Sequence, residues 1–252
     1  MNETIAIGPT LVVVCVVMAL SAAAIYRFTH LGSFWSVPVA TIRAAVQLGA
    51  VASVLAVAVA RLWSSALVLL VMFGVAAVTA ARRSEADRGA TWVSLGLVAG
   101  LTAVVPPLLA TGLIPLDGVA IVPMVAIVLG GTMTATAVAA RRALDALTLR
   151  AGEVEAAMSL GMTDRDSRME VILRTTADAL LPNLDQARTA GLVTLPGAFV
   201  GVLLSTGSAV QAGAVQVLVI VALLLSQTCA VAATKEMVAR GRIRRTGVVV
   251  VG

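Results

Sequence analysis

Residues 119–142 read VAIVPMVAIVLGGTMTATAVAARR, an uncharged run of 22 residues closed by two arginines. A helix needs about 20 consecutive apolar residues to cross the hydrocarbon core of a bilayer, so this run is long enough to do so. Six other runs have a similar character: 8–26, 40–60, 64–81, 91–112, 189–208 and 212–234. The pattern predicts an all-α, polytopic membrane protein with about seven transmembrane helices. Six is the alternative, because only Arg61–Trp63 separates the second run from the third.

Composition supports lipid as the main solvent of the chain. Hydrophobic residues make up 60% of the 252 residues and charged residues 12%, with a mean hydropathy of +1.02. Soluble domains are only about 45–50% apolar. Cys15 and Cys229 lie inside apolar runs, which disfavours a disulfide. Only Glu3 among charged residues precedes the first run, so we expect a retained span rather than a cleaved signal peptide.

The basic residues predict an orientation. With the N-terminus outside, the cytoplasmic segments hold all 18 Arg and Lys residues except Arg43, inside the second run, and Arg61, in an outer loop. This distribution follows the positive-inside rule, so we expect the N-terminus outside and the C-terminus in the cytoplasm. It also accounts for the net charge of +5 without a nucleic-acid partner. The basic tail RGRIRR (240–245) is either a topological anchor or a site for anionic lipid.

Two observations argue against an energy source within the chain. All 13 acidic residues lie outside the apolar runs, which disfavours a proton- or sodium-driven carrier, because such carriers use carboxylates inside the membrane. The only lysine, Lys235, lies in AATKEM, so the chain has no Walker loop for ATP. We therefore expect that the chain is not an enzyme and holds no cofactor of its own.

The longest polar segment, 141–188, separates the fifth run from the sixth. Strong helix formers lead up to Gly161, a residue suited to the position after a helix end. Thr163 and Asp166 then have capping-box spacing, and Pro182 ends the next helical pattern. That helix has an apolar face at i, i+3 and i+4 spacing, formed by Met169, Ile172, Leu173, Thr176, Ala177 and Leu180. The segment is either an amphipathic hairpin on the membrane surface or a docking surface for a cytoplasmic partner.

The order of residues within this segment favours docking. Glu155-Ala156-Ala157, then Gly161, then Leu181-Pro182 resemble the EAA loop of ABC transporter permeases, a short helix that inserts into a cleft of a cytoplasmic ATPase. Alanines allow close approach, a carboxylate can pair with a basic residue of the partner, and glycine permits a sharp turn. The residues that the resemblance assigns to ATPase coupling are Glu155, Ala156, Ala157, Leu160 and Gly161.

Three further stretches narrow the resemblance to one family. RAAVQL (43–48), LGGTMTATAVAARR (129–142) and GLVTLPG (191–197) resemble motifs of the bacterial iron-export permeases, the FetB-like family, whose plant relatives are linked to aluminium tolerance. The family usually has asparagine at the position of Gly131, and Met-Met-Thr-Gly-Gln where this chain has 198–202. These departures leave the substrate open.

The resemblance implies one permease domain over 1–252, with 141–188 as its coupling segment. It implies a homodimer in the inner membrane of a bacterium, working with two copies of a separate ATPase that would bind ATP and Mg²⁺. The implied function is export of iron or another metal. Two alternatives stay open: an ABC importer permease for an amino acid or similar small solute, and a membrane protein without a transport function.

Seven residues are candidates for the translocation pathway: Arg43, Gln47, Thr132, Met133, Thr134, Pro196 and Gly197. The first two share a helix face that points either to a cavity or, for the arginine, to lipid headgroups. The next three offer hydroxyls and a thioether to a soft metal, or small side chains for helix packing. The last two predict a kink inside the sixth span, as a hinge or as a static bend. No set of metal ligands follows from them.

Overall fold

The computed structural model describes residues 8–58 and 61–245, and the elements in these ranges are helical. They form ten α-helices: α1 (Pro9–Phe28), α2 (Ser36–Ala58), α3 (Leu62–Arg83), α4 (Val93–Ala110), α5 (Gly118–Leu149), α6 (Ala151–Ser159), α7 (Asp164–Ala177), α8 (Leu181–Thr189), α9 (Gly197–Thr206) and α10 (Ala209–Ala239). Short 3-10 turns precede α4 and α8. The all-α prediction is confirmed.

The contacts divide the chain into two units, Met1–Ala58 and Val59–Gly252. In the first unit α1 packs against α2. Pro9 begins α1, a position where the N–H that proline lacks would have no partner within the helix. Arg27 lies in the last turn, where a positive charge complements the helix dipole. The second unit contains α3 to α10 and the residues that carry the functional proposal.

Six of the described helices are long and apolar enough to cross a membrane: α1, α2, α3, α4 with its preceding turn, α5 and α10. The polytopic prediction is confirmed, while about seven spans and their orientation stay predictions. The predicted sixth span, 189–208, contains instead the end of α8, a turn and the 10-residue α9. Ten residues of helix extend about 15 Å, roughly half the hydrocarbon core.

The predicted kink at Pro196 and Gly197 is wrong in its form, because the helix is interrupted there rather than bent. Gly191 has a φ of +82°, so the backbone turns at this residue, shortly after α8 ends. Pro196 has an extended backbone and caps α9, so Gly197 is its first residue. A proline at a helix start leaves no intrahelical hydrogen bond unmade, which is the physical reason for a break at this position.

The core of the second unit is built on α4, α5 and α10. Thr132 of α5 is hydrogen-bonded to Ser226 of α10, with 2.5 Å between the two hydroxyl oxygens. Further along both helices, Ala139 and Val231 share one buried cluster. Residue numbers therefore increase in the same direction along α5 and α10, and the two helices are parallel.

Glycines let α4 approach this pair closely, in the opposite direction. A Cβ at Gly96 would lie 2.5 Å from the hydroxyl oxygen of Thr234, and one at Gly100 would lie 2.6 Å from the carbonyl oxygen of Ser226. Lower numbers on α4 thus match higher numbers on α10. Small residues at such crossings are the usual means of close helix packing in lipid.

Because α5 and α10 are parallel, the chain between them has to return along their length. It does so in pieces, through α7, a 3-10 turn, α8 and α9. Ala179 lies in the cluster of Ala139 and Val231, in the second half of both helices. Farther on, the backbone N–H of Phe199 donates to Oε1 of Gln216 in the first turns of α10 (3.2 Å). A series of short helices therefore lies where the sequence predicted one continuous span.

The polar segment departs from its predicted layout in two ways. The helix predicted from 141 to Gly161 is interrupted at Arg150, so that its first part continues α5 to Leu149 and its second part is α6. Pro182 lies in the first turn of α8 and does not end α7, which stops at Ala177. Arg150 has a non-helical backbone (φ −116°, ψ 31°), which makes the first difference, and the second follows from the suitability of proline at a helix start.

The predicted apolar face of α7 is only partly right. Ile172 and Thr176 are buried as expected, whereas Leu173 is exposed and Arg168 and Val171 are buried in its place. Helix α7 packs against both α5 and α10. Its buried side is therefore fixed by two helices and not by the plane of a membrane surface.

Candidate functional site

Helix α6 is a short helix that is anchored on one side and open on the other. Val154 is 8% exposed and belongs to the main buried cluster, and Met158, one turn later, packs against that cluster. Glu155 and Ala156 are exposed, and Leu160 is 87% exposed. Two inward side chains thus fix the helix, while its opposite side stays accessible.

Arg150 separates α6 from α5 and ties both to α7. Its Nε donates to Oε1 of Glu153 (2.6 Å), and its Nη1 donates to the carbonyl oxygen of Val171 in α7 (3.1 Å). The hydrogen bonds from Arg150 lower the pKa of the Glu153 carboxyl and raise the pKa of the guanidinium. Among the described residues Glu155 has no such ion-pair partner, so its carboxylate is available to another molecule.

Gly161 closes α6 with a Schellman turn. Its φ is +93°, and its N–H donates to the carbonyl oxygen of Met158 (2.9 Å), while the N–H of Met162 donates to that of Ala157 (3.2 Å). A Cβ at Gly161 would meet no atom within 4 Å, so the glycine is needed for its backbone conformation and not for space. The predicted helix end at Gly161 is confirmed. The turn leaves Leu160 projecting at the end of α6.

Helix α7 is capped as the sequence predicted and is fastened to α10. The hydroxyl of Thr163 accepts from the N–H of Asp166 (3.2 Å) and donates to its carboxylate (2.7 Å). These contacts, with Arg165 beside them, lower the pKa of the Asp166 carboxyl. Arg165 also donates through Nε and Nη2 to the two carboxylate oxygens of Glu236 in α10 (2.8 and 2.7 Å). This bidentate geometry joins the first turn of α7 to the last turns of α10.

Residues Gly241–Arg245, which we call the C-terminal clasp, contact several other segments of the chain. Ile243 is 1% exposed in the main buried cluster. Arg244 exchanges backbone hydrogen bonds with Arg88 (3.0 and 3.2 Å), and the guanidinium of Arg242 lies over the ring of Trp92 at 5.4 Å. The basic tail is therefore built into the protein, as an interlocking segment that neither sequence-based interpretation included.

A cavity of about 650 Å³ extends along α5 where α3 ends. Arg141 at its rim pairs with Glu85 (3.5 Å), and Arg142 pairs with Asp178 (2.7 Å). Asp145 is held by Nη1 of Arg245 from the clasp (2.5 Å). The described residues that line the cavity are Arg83, Glu85, Thr134, Ala137, Val138, Arg141, Arg142 and Asp145.

The structure does not bring the three predicted pathway residues of α5 together. Thr132 is fully buried, donates to the carbonyl oxygen of Val128 (2.6 Å) and fills the contact with α10. Met133 packs against the buried cluster, and only Thr134 reaches the cavity. The packing interpretation therefore suits Thr132 and Met133, while Thr134 keeps its place as a candidate.

The remaining pathway candidates are not among the residues that line this cavity. Arg43 and Gln47 are exposed on α2 in the first unit. Pro196 and Gly197 form the start of α9. Within 8–58 and 61–245, no group of three His, Cys, Asp or Glu residues is placed to hold a metal ion.

Several residues of the site were missed at the sequence level. Arg165 and Glu236 are 71 positions apart, and Arg245 reaches Asp145 over 100 positions, so no local pattern pairs them. Gln227 is buried within the core, and both its amide atoms lack a hydrogen-bond partner in the described part of the chain. A glutamine inside an apolar run was the one signal available for it.

Comparison with known proteins identifies relatives along most of the chain. A family model described as "Uncharacterised protein family (UPF0014)" matches residues 9–242. The UPF0014 membrane protein STAR2 of Oryza sativa subsp. japonica is 31% identical over 154 residues, which are 61% of this chain and 54% of that protein. The chain therefore spans about half the length of this plant relative.

Two microbial relatives are covered more completely. The UPF0014 membrane protein slr1647 of Synechocystis sp. (strain ATCC 27184 / PCC 6803 / Kazusa) is 31% identical over 191 residues, which are 71% of each chain. The "Probable iron export permease protein FetB" of Escherichia coli (strain K12) is 28% identical over 223 residues, 86% of this chain and 83% of that protein. No solved structure matches.

Proposed function

The chain belongs to the UPF0014 family of membrane proteins, and on that premise we propose that it is the permease subunit of an ABC transporter. ATP would be hydrolysed by a separate cytoplasmic ATPase, which would hold the nucleotide and Mg²⁺. The observation that carries the proposal is the open side of α6, which exposes the carboxylate of Glu155 and ends at the projecting Leu160. Such a surface suits a cleft with an apolar floor and a basic residue at its edge.

The contacts of α6 supply a route by which the ATPase moves the spans. Val154 and the bond from Arg150 to the Val171 carbonyl join α6 to α7. Arg165 joins α7 to Glu236 of α10 through two hydrogen bonds. Force applied at α6 would therefore reach the ends of two core helices, α5 and α10, without passing through a flexible loop.

The transporter would be a homodimer in the inner membrane of a bacterium, with seven passages, the N-terminus outside and α6 in the cytoplasm. The relative named as a probable iron export permease supports iron or another metal as cargo and export as direction. An importer permease for an amino acid or similar small solute is the second candidate, since importers share the EAA pattern. A partner gene for an extracytoplasmic binding protein would favour the importer.

Copurification from native membranes in mild detergent tests the docking surface. We expect the wild-type chain to bring down a Walker-motif ATPase that hydrolyses ATP, and expect Glu155→Arg and Leu160→Glu to lose it. Glu170→Arg is the matched control, because it makes the same charge reversal at an exposed position of α7. Failure to recover an ATPase with wild type, or its retention by both α6 variants, would overturn the proposal. Equal loss from Glu170→Arg would do so as well.

A further inference from the structure

The charged groups around the cavity beside α5 are not balanced. The lining holds three guanidinium groups against two carboxylates: Arg83, Arg141 and Arg142 against Glu85 and Asp145. Asp178 and Arg245 pair with two of these residues from outside the lining. Each carboxylate is already engaged by an arginine. In the described parts of the chain Arg83 is the cavity-lining guanidinium that no carboxylate neutralises. The cavity therefore keeps one positive charge in excess.

The carboxylate of Glu85 forms ion pairs with two guanidinium groups. Its backbone has a φ of +54°, in the left-handed region that favours glycine, at the turn that follows α3. From there it contacts Arg141 and Arg245, each at 3.5 Å, and its carbonyl oxygen accepts from Nε of Arg245 (3.0 Å). Glu85 thus fixes the arginines at the rim and is not free to bind a cation.

The remaining features of the cavity suit a small molecule with negatively charged oxygens. Its volume of about 650 Å³ lies in the usual range for small-molecule sites, roughly 300–1,000 Å³. Guanidinium groups bind carboxylate and phosphate groups through paired, charge-assisted hydrogen bonds. The rest of the lining is Thr134, Ala137 and Val138 of α5. An oxyanion held at the rim would therefore place the rest of the molecule along α5.

Resting on the permease assignment, we propose that this cavity is the inner mouth of the pathway and binds a cargo with carboxylate or phosphate groups. A metal would enter it inside an anionic chelate and not as a bare cation. A bare divalent cation would meet the excess positive charge of the rim, whereas an anion would be attracted by it. Arg83 is the residue that we assign to first contact with the cargo.

Titration calorimetry on the full-length permease in nanodiscs of zwitterionic lipid tests the proposal without an ATPase. Citrate, ferric citrate and ferrous chloride are the probes. We expect the two anionic probes to bind saturably and the ferrous ion not to bind. Loss of one charge-assisted contact corresponds to a weakening of about tenfold or more, which we expect for Arg83→Gln. Arg82→Gln is the matched control, since Arg82 is the exposed neighbour that does not line the cavity.

Three outcomes would overturn the proposal. The first is saturable binding of ferrous ion with no binding of either anion. The second is equal weakening by Arg82→Gln and Arg83→Gln, which would indicate diffuse surface charge. The third is loss of citrate binding when the nanodiscs contain phosphatidylglycerol, which would assign the oxyanion to a lipid headgroup and not to a cargo. Because the assay needs no ATPase, an anion that binds while no ATPase copurifies would separate this site from the docking proposal.

Discussion

The central bundle of α4, α5 and α10 differs from the polar shell formed by α6, α7 and the C-terminal clasp in what holds it together. The bundle closes through small and hydroxylated residues, as at Gly100, Thr132 and Ser226, where there is no room for added atoms. The shell is held by exposed ion pairs and a few buried anchors, such as Ile172 and Ile243. The bundle is therefore sensitive to added volume at these contacts, while the shell depends on its anchors and offers the rest of its surface to a partner.

The largest effect that we expect comes from an anchor of the shell. Ile172 is 0% exposed, so Ile172→Ala should lower the free energy of unfolding by about 2–5 kcal/mol through lost burial and a cavity. Leu160→Ala is the matched control, since that exposed side chain should change stability by less than about 0.5 kcal/mol. Unfolding in mild detergent, followed by circular dichroism, measures both. Equal stability of the two variants would show that α7 is not packed on the bundle.

A smaller effect is expected inside the bundle. Gly100→Ala should destabilise the protein by about 1–3 kcal/mol, because its Cβ would lie 2.6–2.7 Å from Ser226 and Thr132. Gly130→Ala adds the same methyl group on α5 where nothing lies within 4 Å. The same unfolding measurement should leave this control at or slightly above the stability of wild type, because alanine favours helix. A tolerated Gly100→Ala would contradict the close crossing of α4 and α10.

The smallest effect concerns the link between the two regions. Arg165→Gln removes the bidentate contact with Glu236 but leaves the buried side of α7 unchanged. We expect faster hydrogen exchange in the first turn of α7 and little change in the protection of α5 and α10. If exchange rose throughout the bundle instead, the exposed pair would be essential to the core and the two regions would not be separable.

The sequence predicted those features that depend on neighbouring residues. The apolar runs gave the long helices α1 to α5 and α10, because a run of about 20 apolar residues is a local property. The spacing of Thr163 and Asp166 predicted the cap of α7, and Gly161 predicted the turn after α6. Glu155, Ala156 and Leu160 were singled out by their order alone, and all three are exposed in the structure.

Other features could not be predicted because they depend on distant residues. The buried side of α7 follows from its contacts with two helices, so Arg168 replaced Leu173 on that side. The clasp depends on Arg245 meeting Asp145, 100 positions away. The hydropathy of 189–208 also predicted one span, because hydropathy depends on the composition of a segment and not on whether its helix is continuous.

By itself, the sequence determined that this chain is a membrane protein, that it is helical and that it has one long polar segment between apolar runs. These are consequences of composition and periodicity, which act over a few turns of helix. Only the tertiary structure decided that α5 and α10 run parallel, that short helices lie where one continuous span was predicted and that three arginines line one cavity. Those arrangements depend on which helix surfaces pack together. The free energy of packing is a property of two helices in contact and cannot be assigned to the sequence of either one.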